Sequence, residues 1–291
     1  MTKFRSSNHY HNLAEGIIWD HHSGLLLFVD ILSKKLFMMD INSFNIIEEY
    51  LLDEYIGWVQ ITNKPELYLV GMKSGIALFD IQKSKLNYIN KDIPQYSNQR
   101  LNDSFVDTNG KVWYGTMEQG AIQLYNGVLA NYSSADKKVI IHDDDYGITN
   151  GPIINHQNNY LFHTDSKKGI VYKFSLDLDK NLLYNKSPFI EFDTNSGVPD
   201  GMCFDKKGDL FIAIWGEGCV KKYSESGEMI EVFKLPEKFI TNVCFAGKNL
   251  DRFFVTTAAG SRFENLEKNS GYVYEILDHG CKGVIANEFL V

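Results

Sequence analysis

Six short segments share one register, and the side chains that open them could hold a cation. They run from Glu15 to Asp20, Gly57 to Thr62, Asn102 to Asp107, Asn150 to Asn155, Asp200 to Asp205 and Asn242 to Gly247. In each, the opening residue and a small or polar turn residue stand five positions apart, with a mostly apolar run between them. Five of the six opening residues, Glu15, Asn102, Asn150, Asp200 and Asn242, carry a side-chain oxygen. Two carboxylates drawn together away from bulk water repel, and a cation resolves that conflict. All-oxygen donors favour Ca²⁺, Mg²⁺ or Mn²⁺, although carboxylates also bind Zn²⁺. Taken one at a time, Asn, Asp and Gly in such places are ordinary turn residues. Glu15 departs from that rule, because glutamate is a poor turn former. Gly57 and Asn242 read as structural.

Other chemistries find less support. His9, His11, His21 and His22 crowd the N-terminal stretch, but no cysteine or carboxylate follows at zinc-site spacing. Asp143-Asp144-Asp145 lacks the Gly and Glu of an EF-hand loop and reads as a solvated acidic turn. Tyr146, just before the Asn150 segment, reads as a core or surface aromatic. No Gly-x-Ser-x-Gly elbow offers a nucleophile.

The opening residues recur at intervals of 42, 45, 48, 50 and 42, the length of a propeller blade. A second strand follows each segment, as in Leu25 to Asp30, Lys111 to Thr116 and Leu210 to Trp215. Turns such as His22-Ser23-Gly24 and Lys206-Lys207-Gly208 join first to second strands as hairpins. Third strands are expected at Lys35–Asp40, Gly75–Asp80, Gly120–Tyr125, Gly169–Phe174, Gly218–Tyr223 and Gly271–Ile276. Weaker fourth strands include 45–50 and 229–233. Six such units predict an all-β, six-bladed β-propeller of four-stranded antiparallel blades around a central channel, forming one domain over residues 1–291. The innermost strands would line that channel, placing the opening residues at one mouth. Residues before Glu15, or the tail 283–286, would complete the last blade and remove a free edge.

Composition agrees. The chain has 291 residues, 44% apolar and 23% charged, which suits a large core. No linker or low-complexity stretch divides it. A formal net charge of −8 without a basic stripe argues against nucleic acid. The longest apolar runs are strand-sized, which argues against a membrane partner, and no signal core opens the chain. Four cysteines without CxxC spacing read as buried thiols in a reducing compartment, so a cytoplasmic location is expected. A monomer or weak homo-oligomer is expected.

Several ordered motifs resemble the SMP-30/gluconolactonase/luciferin-regenerating-enzyme (regucalcin-like) family over nearly the whole chain. They are Glu15-Gly16 with Trp19-Asp20, Arg100-Leu101-Asn102-Asp103 with Gly115-Thr116-Met117, Thr149-Asn150-Gly151, Thr164-Asp165-Ser166, and Pro199-Asp200-Gly201-Met202. The resemblance implies a six-bladed propeller carrying one divalent cation (Ca²⁺, Zn²⁺, Mn²⁺ or Mg²⁺). It implies Glu15, Asn150 and Asp200 as metal ligands and Arg100 and Asn102 as substrate-binding residues. It also implies hydrolysis of a small-molecule lactone, with Asp200 as the general base. Asp103 and Asp165 read as supporting residues. Ile17 stands where the family usually has Pro, and Ser104 where it has Gly. Animal members have a sugar-contacting glutamate three residues past the Met of the Gly-Thr-Met motif; Gly120 stands there, beside Glu118 and Gln119. The alternative reading is a non-catalytic propeller that binds calcium or a small ligand, or that serves as a scaffold.

Overall fold

The computed structural model describes residues 2–91, 98–120, 124–260 and 270–291. No helix occurs among them, and therefore none long and apolar enough to cross a membrane. Strands are numbered along the chain. After β1 (Lys3–Ser6), the first blade is β2 (Ala14–Asp20), β3 (Leu25–Asp30), β4 (Lys35–Met39) and β5 (Ile46–Leu51). The second is β6 (Ile56–Ile61), β7 (Leu67–Met72), β8 (Gly75–Asp80) and β9 (Lys85–Asn90). The third is β10 (Gln99–Val106), β11 (Val112–Glu118), β12 (Gly127–Ser133) and β13 (Lys138–Tyr146). The fourth is β14 (Thr149–Ile154), β15 (Tyr160–Asp165), β16 (Ile170–Asp177) and β17 (Leu182–Glu191). The fifth is β18 (Val198–Phe204), β19 (Leu210–Trp215), β20 (Cys219–Tyr223) and β21 (Met229–Lys234). The sixth joins β22 (Ile240–Ala246), β23 (Arg252–Thr257) and β24 (Tyr274–Leu277) to β1. Six four-stranded antiparallel blades make this a six-bladed β-propeller, as the repeat predicts.

The last blade is closed by the N-terminal strand, with Lys3 opposite Leu277 and Ser6 opposite Tyr274. The tail 283–286 forms no strand. β1 therefore covers the open edge of β24 and satisfies its backbone groups.

By its contacts the chain divides into two compact units. Unit 1 comprises residues 1–56 and 195–286; unit 2 comprises residues 57–194 and 287–291. Unit 1 holds the first, fifth and sixth blades. One of its cores packs Trp19, Phe28, Phe37 and Phe254, and another Phe211, Phe233, Phe245 and Phe253. Unit 2 holds the second, third and fourth blades, with Trp58, Tyr114 and Phe289 in one core and Trp113, Tyr146 and Leu161 in another. Tyr146 is thus a core side chain. Each large apolar group contributes about 1.5–3 kcal/mol on burial.

The turn residues of the repeat have a common role. Asp20, Asp107, Asn155 and Asp205 each turn a side-chain oxygen onto backbone N–H groups of the hairpin that follows. Asp107 Oδ1 accepts from Asn109 and Lys111 at 2.8 and 3.0 Å, and Asp205 Oδ1 from Lys207 and Asp209 at the same distances. Asn155 Oδ1 accepts from Asn159 and Tyr160, and Asp20 Oδ1 from His22. Short Asp and Asn side chains suit this local capping, which explains their recurrence.

Three expectations need correction. The third strand of the third blade is β12, not 120–125; residues 121–123 lie outside the described residues. Gly127 marks the true start, because a β-carbon there would meet Thr116 O at 2.5 Å and Tyr146 O at 2.9 Å, backbone of the two flanking strands. Asp143–Asp145 is no turn but the end of outer strand β13, where Asp143 accepts from Tyr146 Oη and from Lys186 Nζ. An outer strand exposes most of its length, so a run of acids fits it. Of the four free cysteines, Cys219, Cys244 and Cys281 are buried, whereas Cys203 is half-buried.

Candidate functional site

Five of the six opening residues, all but Gly57, sit at or beside places where the innermost strands break register. Such a break places extra residues against the neighbouring strand and re-aims the side chains beside it. In β2 it falls between Glu15 and Ile18, in β10 between Leu101 and Ser104, and in β14 between Asn150 and Ile153. In β18 it falls between Pro199 and Met202, and in β22 between Ile240 and Asn242. Gly16 and Gly151 take φ of +57° and +45° in these bulges, a region that favours glycine. Pro152 fits the same bulge because a ladder N–H is not needed there.

In unit 1 the site residues are carboxylates. Glu15 and Asp200 are only 5% and 6% exposed. Glu15 Oε2 accepts from the Gly16 N–H at 3.0 Å and from Asn242 Nδ2 at 3.1 Å. Asn242 in turn lies against the residue after Asp200. A β-carbon on Gly201 would come within 2.3 Å of the Asn242 amide carbon. A single amide therefore separates the Glu15 carboxylate from the Asp200-Gly201 bulge. The strand carrying Asn242 is tied to β2 as well, since Thr241 Oγ1 donates to Ala14 O at 2.6 Å.

In unit 2 the site residues are amides and a guanidinium. Asn102 Nδ2 donates to Thr149 O at 2.6 Å and to Asn150 Oδ1 at 2.7 Å. Asn150 Nδ2 donates to Ser166 Oγ at 2.9 Å. The Asn150 amide is thereby oriented, and its Oδ1 retains a second lone pair. Asp103 supports this arrangement from the adjacent strand: its Oδ2 accepts the Gly151 N–H at 2.8 Å and its Oδ1 the Ser104 N–H at 2.8 Å. Arg100 is 2% exposed within β10, and its Nη1 donates to Leu101 O at 3.0 Å. Asp165 is fully buried and accepts from the N–H groups of Gly147, Ile148, Lys167 and Lys168 at 3.1–3.4 Å. Its work is to brace the chain entering β14.

Asn102 and Asn150 are thus in direct contact, and Glu15 and Gly201, the residue after Asp200, flank a common side chain. That side chain, Asn242, reads from the sequence as structural, and in the structure it lies between Glu15 and Gly201. The sequence also leaves open what Asp103 holds. One available signal was glycine directly after Glu15, Asn150 and Asp200, the mark of backbone that needs a bulge or a close approach. The N-terminal histidine cluster includes a core residue: His11 is 4% exposed and packs edge-on against Phe28 and Phe37, with ring centroids 4.9 and 4.8 Å away.

Residues 13–259 match the family described as SMP-30/gluconolactonase/LRE-like. The chain belongs to that family. Regucalcin of Xenopus laevis is 28% identical over 287 residues, covering 96% of this chain and 95% of the relative. A Bacillus subtilis (strain 168) protein provisionally named sugar lactone lactonase YvrE is 27% identical over 251 residues, covering 84% and 83%. Among solved structures, a luciferin-regenerating enzyme superposes with a TM-score of 0.92 at 25% identity, covering 100% of both chains. The motifs described above, Glu15-Gly16, Asn102-Asp103, Asn150-Gly151 and Asp200-Gly201, all fall inside the matched region.

Proposed function

We propose that this family member is a metal-dependent hydrolase that opens a sugar lactone or a related small cyclic ester. The observation that carries the reading is the pair of buried carboxylates, Glu15 and Asp200, at bulged strand positions in unit 1. Burying two acids is costly unless positive charge or hydrogen bonds compensate. The donor chemistry fits a hard divalent cation, since Glu15, Asn150 and Asp200 each offer side-chain oxygen. Glu15, Asn150 and Asp200 would hold the ion, with Ca²⁺, Zn²⁺, Mn²⁺ and Mg²⁺ as candidates. Such an ion supplies Lewis-acid polarisation of the ester carbonyl when bound.

The chain's own residues do the rest. The Arg100 fork and the Asn102 amide bind substrate oxygens and hold the ring in place. Asp200 takes the proton of the attacking water. The water oxygen forms the new bond to the carbonyl carbon, the ring C–O bond breaks, and the proton passes to the departing alkoxide. Names among the relatives support this class of reaction: one carries sugar lactone lactonase in its name, and the family carries gluconolactonase.

Hydrolysis of a panel of aldonolactones and simple γ- and δ-lactones tests the reading, with EDTA and with each divalent metal restored. Turnover should vanish with EDTA, return with metal, and be lost in Asp200→Ala. Turnover untouched by Asp200→Ala, or none with any metal, would sink it in favour of a non-catalytic binding propeller.

A further inference from the structure

We propose that Asn242 is a positioning residue that sets the Glu15 carboxylate for cation binding and couples it to the Asp200-Gly201 bulge. The inference rests on the reading of Glu15 and Asp200 as metal ligands. The family motifs assign Asn242 no role.

Four contacts carry the proposal. Asn242 is 6% exposed, so its amide must be satisfied by protein groups. Its Oδ1 accepts the Val243 N–H at 2.8 Å, which fixes which end of the amide points away from its own strand. Its Nδ2 then donates to Glu15 Oε2 at 3.1 Å. The same Oε2 takes the Gly16 N–H at 3.0 Å. One carboxylate oxygen is thus held by two donors from two strands, which fixes how the carboxylate is turned. A ligating carboxylate is commonly held in this way, by a hydrogen bond to its other oxygen.

The fourth contact is steric. The Asn242 amide fills the space that a side chain at position 201 would need, with its carbon 2.3 Å and its oxygen and nitrogen 2.5 Å from the β-carbon site. Gly201 carries no unusual positive φ, so the requirement for glycine there comes from this approach and not from the backbone. The Asp200 bulge and the Glu15 carboxylate therefore share one neighbour, and a shift of that neighbour reaches both.

The test is calorimetric titration of the metal-free protein with CaCl₂ and with MnCl₂, with thermal unfolding recorded in EDTA. Asn242→Ala and the shape-retaining Asn242→Leu should each weaken cation affinity about 10–100-fold, the usual cost of losing a group that orients a metal ligand. Both should keep a cooperative unfolding transition in EDTA. Gly201→Ala should weaken binding similarly by displacing the amide. The Gly201→Ala/Asn242→Ala double variant should be no weaker than the worse single variant, because both changes act through one group. Wild-type affinity in Asn242→Leu, or losses that simply add in the double variant, would overturn the proposal. If wild type binds neither ion, or Glu15→Ala binds as wild type does, the metal reading itself falls and this inference with it.

Discussion

The two units prepare their site residues by one device and to different electrostatic ends. Each uses an innermost strand that breaks register, and each uses an amide from another blade of the same unit to hold the displaced residue. In unit 2 that amide is Asn102, and it meets another amide, Asn150. In unit 1 it is Asn242, and it meets a carboxylate, Glu15. Neutral amides can satisfy each other by pairing a donor with an acceptor. Two carboxylates cannot, since both only accept. Unit 2 is therefore built largely for placement, whereas unit 1 gathers the negative charge that the proposed cation site requires.

That contrast predicts unequal losses. Removing charge from unit 1 should cost most. Glu15→Gln keeps the shape and the acceptor for Gly16 and Asn242 but removes the charge. It should lower kcat/KM on a responsive lactone by about 10³-fold, a loss typical of deleting a strong electrostatic contribution to catalysis. Steady-state kinetics at saturating metal would check this, and a loss below tenfold would erase the distinction between the units.

Acid should then strain both units through histidines that fold neutral. Burial lowers His11 in unit 1 to about 4 and His163 in unit 2 to about 3. Neither nitrogen of His163 has a hydrogen-bond partner among the described residues, and its ring lies edge-on to Tyr146 at 4.5 Å. The unfolded chain binds these protons near the ordinary value of 6.5, and the folded chain does not. Their contribution is intact above that pH and is lost as pH falls from 6.5 towards 4 and 3. Across these windows His11 accounts for about 3 kcal/mol and His163 for about 5 kcal/mol. His11→Phe should fit beside Phe28 and Phe37 and move the acid-unfolding midpoint downwards. A pH titration of circular dichroism reads this, and an unmoved midpoint would mean that other groups control acid unfolding.

The smallest expected effect belongs to unit 2. Asp103→Asn retains one acceptor but weakens the hold on the Gly151 N–H, at a cost of about 1–3 kcal/mol in stability. Denaturant unfolding would measure it. A larger loss in cation affinity than in stability would show that the Gly151 bulge serves the proposed ligand Asn150 more than the fold.

Much of this was legible in the chain. The five-residue register, the blade-length spacing and the hairpin turns are local features, so Asp107 or Asp205 could be read as turn residues directly. The carboxylates and amides of the site were legible because they occupy equivalent positions in that register. The third strand of the third blade was misplaced because 120–125 and 127–133 both open with glycine and continue with apolar residues. Only pairing with β11 and β13 chooses between them.

By itself, the sequence determined the repeat, the fold class and the residues able to donate oxygen, because those depend on periodicity and on side-chain chemistry along a single stretch. Tertiary structure alone decided what Asn242 and Asp103 do. Asn242 meets Glu15 across 227 positions, and Asp103 meets Gly151 across 48. No local pattern marks a partner so far away. Which oxygen of Glu15 is held and why position 201 must be glycine follow from those long-range contacts.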